Sequence, residues 1–217
     1  MKQRFIGNNV RLVEDIIEYA DKFDTDGILL FLDFKKAFDS LEWNFMVKAL
    51  KFFNFGDIFI RWVEVLYKDS SLCIKNNGYL SDSFSVSRGI KQGCPLSALL
   101  FIIAVEIMAL KMKSCKELKG YVIKHGDTER EVKICQYADD GILFLKNARQ
   151  ICLAINLIEE FGKHTGLNLN LKKTTGMYLG VNKLKEGNMN EIIITNKPLK
   201  CLGIYVGYDK IKCAELN

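Results

Sequence analysis

The most constraining feature of this sequence is a nearly continuous apolar run over residues 28–34, which carries the acidic Asp33 near its end. A strand that is buried on both faces has this continuous pattern, whereas a strand with one solvated face alternates. Apolar residues with helical spacing precede the run, from Val10 to Ala20, and follow it, from Phe45 to Phe53. The pattern therefore predicts a buried strand between helices, with a carboxylate at the rim of its sheet.

The rest of the chain alternates between strand and helix patterns. Asn77-Gly78 predicts a tight hairpin between residues 72–75 and 79–86. A long apolar helix is predicted from about residue 97 to residue 117. Together the elements predict the α+β class, in which helices cover one face of an antiparallel sheet.

Two helix starts are predicted from side chains that can cap the backbone. Asn8 or Asn9 can cap the first helix. Asp39 and Glu42 have the spacing of a capping box, in which each side chain accepts a bond from the other's backbone amide. Because a capping role explains Asp39, it is left out of the candidate site.

Composition excludes several classes of protein. A hydrophobic fraction of 49% and a charged fraction of 26% are typical of a globular domain and argue against disorder. The longest uncharged apolar run, residues 95–105, is too short for a bilayer span, and no secretory signal is visible. We therefore expect an intracellular protein, nuclear or cytoplasmic, that is not secreted and has no membrane partner. Seven cysteines without a CxxC pair, beside two histidines, argue against structural zinc.

Acidic residues stand at two predicted strand ends or turns. Asp33 ends the apolar run, and Asp139-Asp140 forms a turn between Tyr137-Ala138 and Gly141. If the two strands are neighbours, three carboxylates converge. Two carboxylates about 4 Å apart repel by about 4 kcal/mol at an effective dielectric of about 20, so such a cluster binds protons or cations. Oxygen ligands without His or Cys favour Mg²⁺ or Mn²⁺. Taken alone, however, the Asp pair is also ordinary turn chemistry, and Asp33 could be a helix cap.

Residues 88–97 form a second candidate feature, with Gly89 and Gly93 beside Arg88, Lys91 and Gln92. Such a loop can approach a flat or anionic ligand closely, and it opens into a helix N-terminus, which favours anions. Its spacing matches neither a Walker loop nor a dinucleotide fingerprint. An ordinary loop before a proline-initiated helix is the alternative.

Residues 166–174 form a third feature, an alternating strand that ends in Lys172 and Lys173. The formal net charge is +5, and lysines outnumber acidic residues between positions 172 and 212. This excess is compatible with a polyanionic partner and equally with a solvated surface.

Together and in this order, these features resemble the reverse transcriptase domain of non-long-terminal-repeat (LINE-type) retrotransposons, with group II intron and telomerase enzymes as more distant relatives. The matching segments are Phe31-Leu32-Asp33-Phe34-Lys35-Lys36-Ala37-Phe38-Asp39, residues 88–97 (R-G-x-x-Q-G-x-P-L-S), Tyr137-Ala138-Asp139-Asp140, residues 166–174 (G-L-x-L-N-x-x-K-T) and Leu202-Gly203-Ile204. Gly141 departs from the threonine that commonly follows the Asp pair. Residues 3–9 resemble a shortened segment of the family's fingers.

The resemblance implies a polymerase palm over residues 1–217, with a remnant of the fingers at the N-terminus, the rest of the fingers truncated and the thumb absent. It implies that Asp33, Asp139 and Asp140 are catalytic and bind metal together with the backbone carbonyl of Phe34, and that Lys173 protonates the leaving pyrophosphate. The implied nucleotide contacts are Phe38, as a gate against ribose, Gln92 and Gly93; the implied nucleic-acid contacts are Arg88 and Lys91.

The implied reaction is attack of a primer 3′-hydroxyl on a dNTP, directed by an RNA or DNA template, with two Mg²⁺ ions, or Mn²⁺ in their place. The missing fingers, thumb and endonuclease regions would belong to a full-length element. A catalytically silent remnant that at most binds nucleic acid is the alternative from a different class. Another two-metal phosphotransferase would explain the carboxylates but neither the Gln92-Gly93 loop nor Phe38.

Overall fold

The computed structural model describes residues 5–217. Of the predicted fingers segment at residues 3–9, the first two positions therefore lie outside the described residues. The α-helices are α1 (Ile6–Phe23), α2 (Ala37–Ser40), α3 (Trp43–Phe52), α4 (Asp57–Tyr67), α5 (Pro95–Ser114), α6 (Arg149–Thr165) and α7 (Lys210–Leu216), and Gly180–Asn182 forms a 3-10 turn. The strands are β1 (Gly27–Leu32), β2 (Phe34–Lys35), β3 (Ser71–Leu72), β4 (Lys75–Asn76), β5 (Tyr79–Leu80), β6 (Phe84–Ser85), β7 (Tyr121–His125), β8 (Thr128–Val132), β9 (Ile134–Tyr137), β10 (Asp140–Leu145), β11 (Asn168–Leu169), β12 (Thr175–Leu179), β13 (Gly187–Met189), β14 (Ile192–Ile194), β15 (Leu199–Cys201) and β16 (Ile204–Val206).

The predicted buried strand is β1, which lies inside a six-stranded sheet of order β13-β14-β12-β1-β10-β9. All of its residues are buried, so the continuous apolar pattern is confirmed. The strand ends at Leu32, earlier than predicted. Phe34 already belongs to β2, which pairs with β11 in a separate two-stranded sheet. Asp33 is the residue at which the chain leaves one sheet for the other.

Helices cover both faces of the central sheet, so the prediction of one covered face is wrong. Side chains alternate along a strand, and the two sets on β1 enter different clusters. Ile28, Leu30 and Leu32 pack with α3, α4, α5 and α6. Leu29 and Phe31 pack with α1 and with β15 and β16. The sheet is also not wholly antiparallel, because β12 and β14 run parallel.

The predicted helix caps are wrong. Helix α1 begins at Ile6 and has Phe5 at its N-cap, so Asn8 and Asn9 lie within its first turn. Asp39 lies inside α2, and Glu42 precedes α3 without a side-chain cap. In a capping box the Asp39 side chain would accept from the Glu42 amide, but that amide donates to the carbonyl oxygen of Thr165 at 2.8 Å.

Helix α5 is the single helix among residues 5–217 that is long and apolar enough to cross a membrane. The apolar stretch is longer than residues 95–105 indicate, so the prediction that it is too short for a bilayer span is wrong, because twenty helical residues suffice. The helix packs instead against β1, with Leu100, Phe101 and Ala104 buried in the same cluster as Leu30. Burial of this kind is typical of a core helix, and the absence of a membrane partner stays a prediction.

The hairpin at Asn77-Gly78 is confirmed. Asn77 has a φ of 48° and Gly78 a φ of 86°, as the tightest hairpin turns require. The strands beside it are shorter than predicted, since β4–β5 and β3–β6 form two separate two-residue pairs. This hairpin is distant in sequence from Asp33 and from Asp139-Asp140, and most of its residues are exposed.

Candidate active site

The register of β1 and β10 brings the predicted carboxylates to one rim of the sheet. The strands are antiparallel, and Leu32 pairs with Gly141. Asp33 is the residue after Leu32, and Asp140 is the residue before Gly141. In an antiparallel pair these two positions lie at the same end of the two strands. The electrostatics agree: partial desolvation raises the pKa of Asp140, and the charges of Asp139 and Asp33 raise it further. The structure thus fulfils the condition that the two strands are neighbours.

A strained turn carries Asp139. The turn joins β9 to β10, and Ala138 adopts a φ of 53°, a left-handed conformation for a residue with a side chain. This costs about 1–2 kcal/mol, and such conformations cluster at functional sites. Gln136 steadies the turn, since its Nε2 donates to the carbonyl oxygen of Ala138 at 3.2 Å. The turn fixes the direction from which Asp139 meets the rim.

Residues 170–174 hold the peptide of Asp33. The Asn170 amide donates to the carbonyl oxygen of Asp33 at 2.7 Å. In return, the Asp33 amide donates to Thr174 Oγ1 at 3.3 Å. Thr174 is fully buried, and the neighbouring pair of Phe34 with Leu169 extends the contact. Hydrogen bonds therefore join the segment of residues 166–174 directly to the segment that carries Asp33.

A cleft of about 930 Å³ opens beside Asp33. Its lining contains Phe34 and the charged residues Lys35, Lys36, Lys172, Lys173, Asp33, Glu159 and Glu191. Asp139 and Asp140 do not line it. Positive charge beside a carboxylate suits a ligand that combines phosphate groups with cations. Lys173 thus shares a cleft with Asp33, and its proton-donating role stays a prediction.

The loop of residues 88–95 packs directly on α2. The Gly89 amide donates to the carbonyl oxygen of Leu41 at 2.8 Å, and the Ile90 amide to that of Phe38 at 2.7 Å. Gly89 has a φ of 86°, and a Cβ there would lie 2.9 Å from the Asp39 carbonyl oxygen. Gly93 has a φ of 81° but open space around it. Glycine is needed at the first position for close approach as well as for φ.

The polar side chains of this loop have intramolecular partners. Gln92 Nε2 donates to Asp39 Oδ1 at 3.4 Å. Lys91 Nζ donates to the carbonyl oxygen of Leu66 at 2.7 Å, and Arg88 Nη1 lies 4.0 Å from a Glu42 oxygen. Arg88, Lys91 and Gln92 also line a second cleft of about 870 Å³. Their predicted contacts with nucleotide and nucleic acid would require them to exchange these partners.

The capping interpretation of Asp39 is wrong, whereas the gate role of its neighbour Phe38 stays a prediction. Phe38 is half-buried, and its ring centroid lies 4.6 Å from that of Phe101, so a packing role is evident. Asp39, which was set aside as a cap, is exposed and accepts the bond from Gln92. Its place in the same sequence segment as Asp33 was the signal that could have included it in the candidate site.

The oxygen atoms at this rim of the sheet are of the kind that binds a hard divalent cation. Carboxylate oxygens and a backbone carbonyl such as that of Phe34 are the ligands that Mg²⁺ and Mn²⁺ prefer. Burial, and then the charges of Asp139 and Asp33, raise the pKa of Asp140. Among residues 5–217, no three His, Cys, Asp or Glu side chains are already arranged around a common point as metal ligands would be. The described residues thus supply the right atoms without a finished coordination shell.

Comparison with known proteins gives a consistent result. The family profile described as reverse transcriptase (RNA-dependent DNA polymerase) matches residues 4–206. The transposon TX1 uncharacterized 149 kDa protein of Xenopus laevis is 28% identical over 98% of this chain and 16% of its own length. The Pol polyprotein from the type-2 retrotransposable element R2DM of Drosophila melanogaster is 26% identical over 76% of this chain and 15% of its own length. The chain therefore spans about one sixth of these relatives.

Solved structures of similar fold include telomerases. Apo telomerase from Candida tropicalis has a TM-score of 0.61 at 14% identity, over 96% of this chain and 36% of that one. The telomerase of the same organism in complex with the TWJ fragment of telomeric RNA has a TM-score of 0.58 at 16% identity, over 97% of this chain and 32% of that one. At these identities the likeness concerns the fold.

Proposed function

The chain belongs to the reverse transcriptase family, and from that premise we propose that it is the palm of an RNA-directed DNA polymerase from a non-long-terminal-repeat retrotransposon. It would join the 3′-hydroxyl of a primer to a dNTP on an RNA or DNA template. The observation that carries the proposal is the β1–β10 register, because it puts Asp33 beside Asp140 at one sheet rim. The fingers, thumb and endonuclease regions would lie elsewhere in a longer protein.

In this proposal Asp33, Asp139 and Asp140, with the Phe34 carbonyl, hold two Mg²⁺ ions, or Mn²⁺ in their place. Bound divalent cations would supply the Lewis acid that stabilises charge during phosphoryl transfer. Partial burial, and then the charges of Asp139 and Asp33, raise the pKa of Asp140, and a cation among the carboxylates would offset that repulsion.

The cleft beside Asp33 would take the phosphate chain of the nucleotide. Its lysines come from two segments that the Asp33–Thr174 bond holds together. Lys173 would donate a proton to the departing pyrophosphate, and Lys35 and Lys36 would offset its charge. This role suits flexible ammonium groups, which can follow a leaving group.

The second cleft would guide the base-paired end of the primer and template. Gln92 and Gly93 would lie near the incoming nucleotide, with Phe38 as the ribose gate, and Arg88 and Lys91 would contact phosphates. Base identity would come from pairing between strands, so the protein would bind shape and backbone.

The test is primer extension on an RNA template with Mg²⁺ or Mn²⁺, comparing the unsubstituted chain with Asp139→Asn. Incorporation should fall by orders of magnitude, because the amide cannot replace the charge of a metal-binding carboxylate. Asp127→Asn is the matched control, since Asp127 is an exposed residue in the β7–β8 turn and lines neither cleft. Incorporation that is indifferent to Asp139→Asn would remove the catalytic assignment.

A silent nucleic-acid-binding remnant is the second candidate. The observation in its favour is that the acidic side chains of the described residues are not yet arranged as a metal site. It predicts no extension by the unsubstituted chain, together with binding of a primer–template that weakens steeply as salt rises. Extension that depends on Asp139 would exclude it.

A further inference from the structure

The peptide of Asp33 lies outside both sheets and is held by a side chain. Residue 32 still pairs with β10, and residue 34 already pairs with β11. Between them, the Asp33 amide donates to Thr174 Oγ1 at 3.3 Å. The Asp33 carbonyl oxygen accepts from the Asn170 amide at 2.7 Å. One bond holds the peptide unit before the Asp33 Cα and the other holds the peptide unit after it, so together they orient the backbone from which the carboxylate projects.

The hydroxyl of Thr174 is buried, at a position where it needs a hydrogen-bond partner. Thr174 is 0% exposed, and a buried hydroxyl is destabilising unless it is hydrogen-bonded. Its own amide donates to the Asn170 carbonyl oxygen at 2.8 Å, so the residue is fixed at the end of the turn. Valine has nearly the same shape and would fill this space without a polar atom. The oxygen is therefore directed at Asp33 rather than required for filling the core.

We propose that Thr174 is a positioning residue, whose hydroxyl orients the Asp33 peptide so that the Asp33 carboxylate meets Asp140 and a shared divalent cation. This deepens the proposed function and rests on the cation binding that the proposed function assigns to Asp33 and Asp140. The same turn carries Lys172 and Lys173, so the bond also keeps the lysines of the cleft in register with the acidic rim. Loss of the hydroxyl acts on cation binding through Asp33, since Thr174 itself is buried away from any ligand.

The experiment uses three variants of the full chain. Thr174→Val removes the hydroxyl and keeps the shape, whereas Thr174→Ser keeps the hydroxyl and removes a methyl group. Thr175→Val removes the hydroxyl of the next residue, the first of β12. Thr175 pairs with Phe31 and has no bond to Asp33. Each variant is first checked for folding by circular dichroism. Thr174→Ala replaces Thr174→Val if the latter does not fold.

Two readouts need no polymerase activity. Hydrogen exchange of the Asp33 amide, followed by NMR, should quicken roughly two- to tenfold in Thr174→Val, the range expected for one lost hydrogen bond. Mn²⁺ binding without nucleotide, followed by electron paramagnetic resonance, should weaken several-fold in the same variant. Thr174→Ser and Thr175→Val should stay close to the unsubstituted chain in both measurements.

The outcomes separate this inference from the proposed function. Mn²⁺ affinity that is equal in Thr174→Val and in the unsubstituted chain overturns the inference, as does the absence of any Mn²⁺ binding or a Thr174→Ser variant as impaired as Thr174→Val. If the readouts follow the expectation while the unsubstituted chain extends no primer, the inference stands and the polymerase proposal fails. If primers are extended and Thr174→Val changes neither readout, the inference alone fails.

Discussion

Gly89→Ala tests whether the loop of residues 88–95 depends on its close approach to α2. Gly89 has a φ of 86°, and an added Cβ would lie 2.9 Å from the Asp39 carbonyl oxygen and 3.0 Å from the Asp39 Cα. The left-handed backbone costs an L residue about 1–2 kcal/mol. Overpacking against backbone adds about 1–3 kcal/mol, since Asp39 cannot swing away as a flexible side chain could. The sum is about 2–5 kcal/mol of lost stability.

Gly93→Ala is the matched control, because Gly93 has a φ of 81° and nothing within 4 Å of an added Cβ. It bears the backbone cost alone. The two variants should therefore differ by the packing cost, about 1–3 kcal/mol, which lowers the thermal midpoint by roughly 2–12 °C in a domain of this size. The measurement is thermal denaturation of both variants, followed by circular dichroism under identical conditions.

Equal midpoints for the two variants would refute the reasoning, because they would mean that the loop moves off α2 without loss. Gly89→Ala should also loosen the contact of Gln92 with Asp39, which is already long at 3.4 Å. Trp43 opposes that movement, since its indole Nε1 donates to the Gly89 carbonyl oxygen at 2.6 Å.

Three further predictions concern the charge of Asp140, the reactivity of the cysteine thiols and the role of Phe38. The pKa of Asp140 is raised above the ordinary 3.8, so the metal-free chain should lose stability as pH rises from that value through the raised pKa. Asp140→Asn should reduce this pH dependence of the urea midpoint. An unchanged dependence of the midpoint on pH would contradict the prediction. Burial raises the pKa of the Cys201 thiol to about 12, so iodoacetamide should modify exposed Cys73 first and Cys201 only after unfolding, as peptide mass spectrometry would show; early modification of Cys201 would count against its burial. Phe38→Val should raise ribonucleotide incorporation relative to dNTP and lower the thermal midpoint through the lost contact with Phe101; an unchanged nucleotide ratio would exclude the gate.

The sequence predicted elements whose pattern is local and missed those set by distant partners. The apolar run identified β1, but Phe34 continues that pattern, and only pairing with Leu169 makes the chain change sheets at Asp33. The amphipathic spacing of α1 identified its buried side and could not tell which face of the sheet it covers. Helix α7 was missed, because Cys213 is its one buried residue and leaves almost no apolar periodicity.

The residue types of the candidate site were predictable from the sequence, but the convergence of these residues depended on which strands pair. A turn with two acidic residues gives no information on its neighbours, so the convergence of carboxylates depended on strand pairing that the register of Leu32 with Gly141 supplied. The role of Thr174 was hidden, since a threonine after two lysines is typical of any strand entrance. The capping interpretation of Asp39 failed because the Glu42 amide, which the Asp39 side chain would have to bind, donates to the carbonyl oxygen of Thr165, a partner distant in sequence.

The placement of β1 has a consequence for synthesis on the ribosome. The strand is made early, yet one neighbour is β10 and the other is β12, and the strands that cover its second face end at Val206. Until those residues emerge, an apolar strand retains an open edge and a second face that only α1 covers, which favours chaperone capture or aggregation over productive collapse. The three acidic residues of the rim are thus all synthesised before the sheet that positions them is fully covered on its second face.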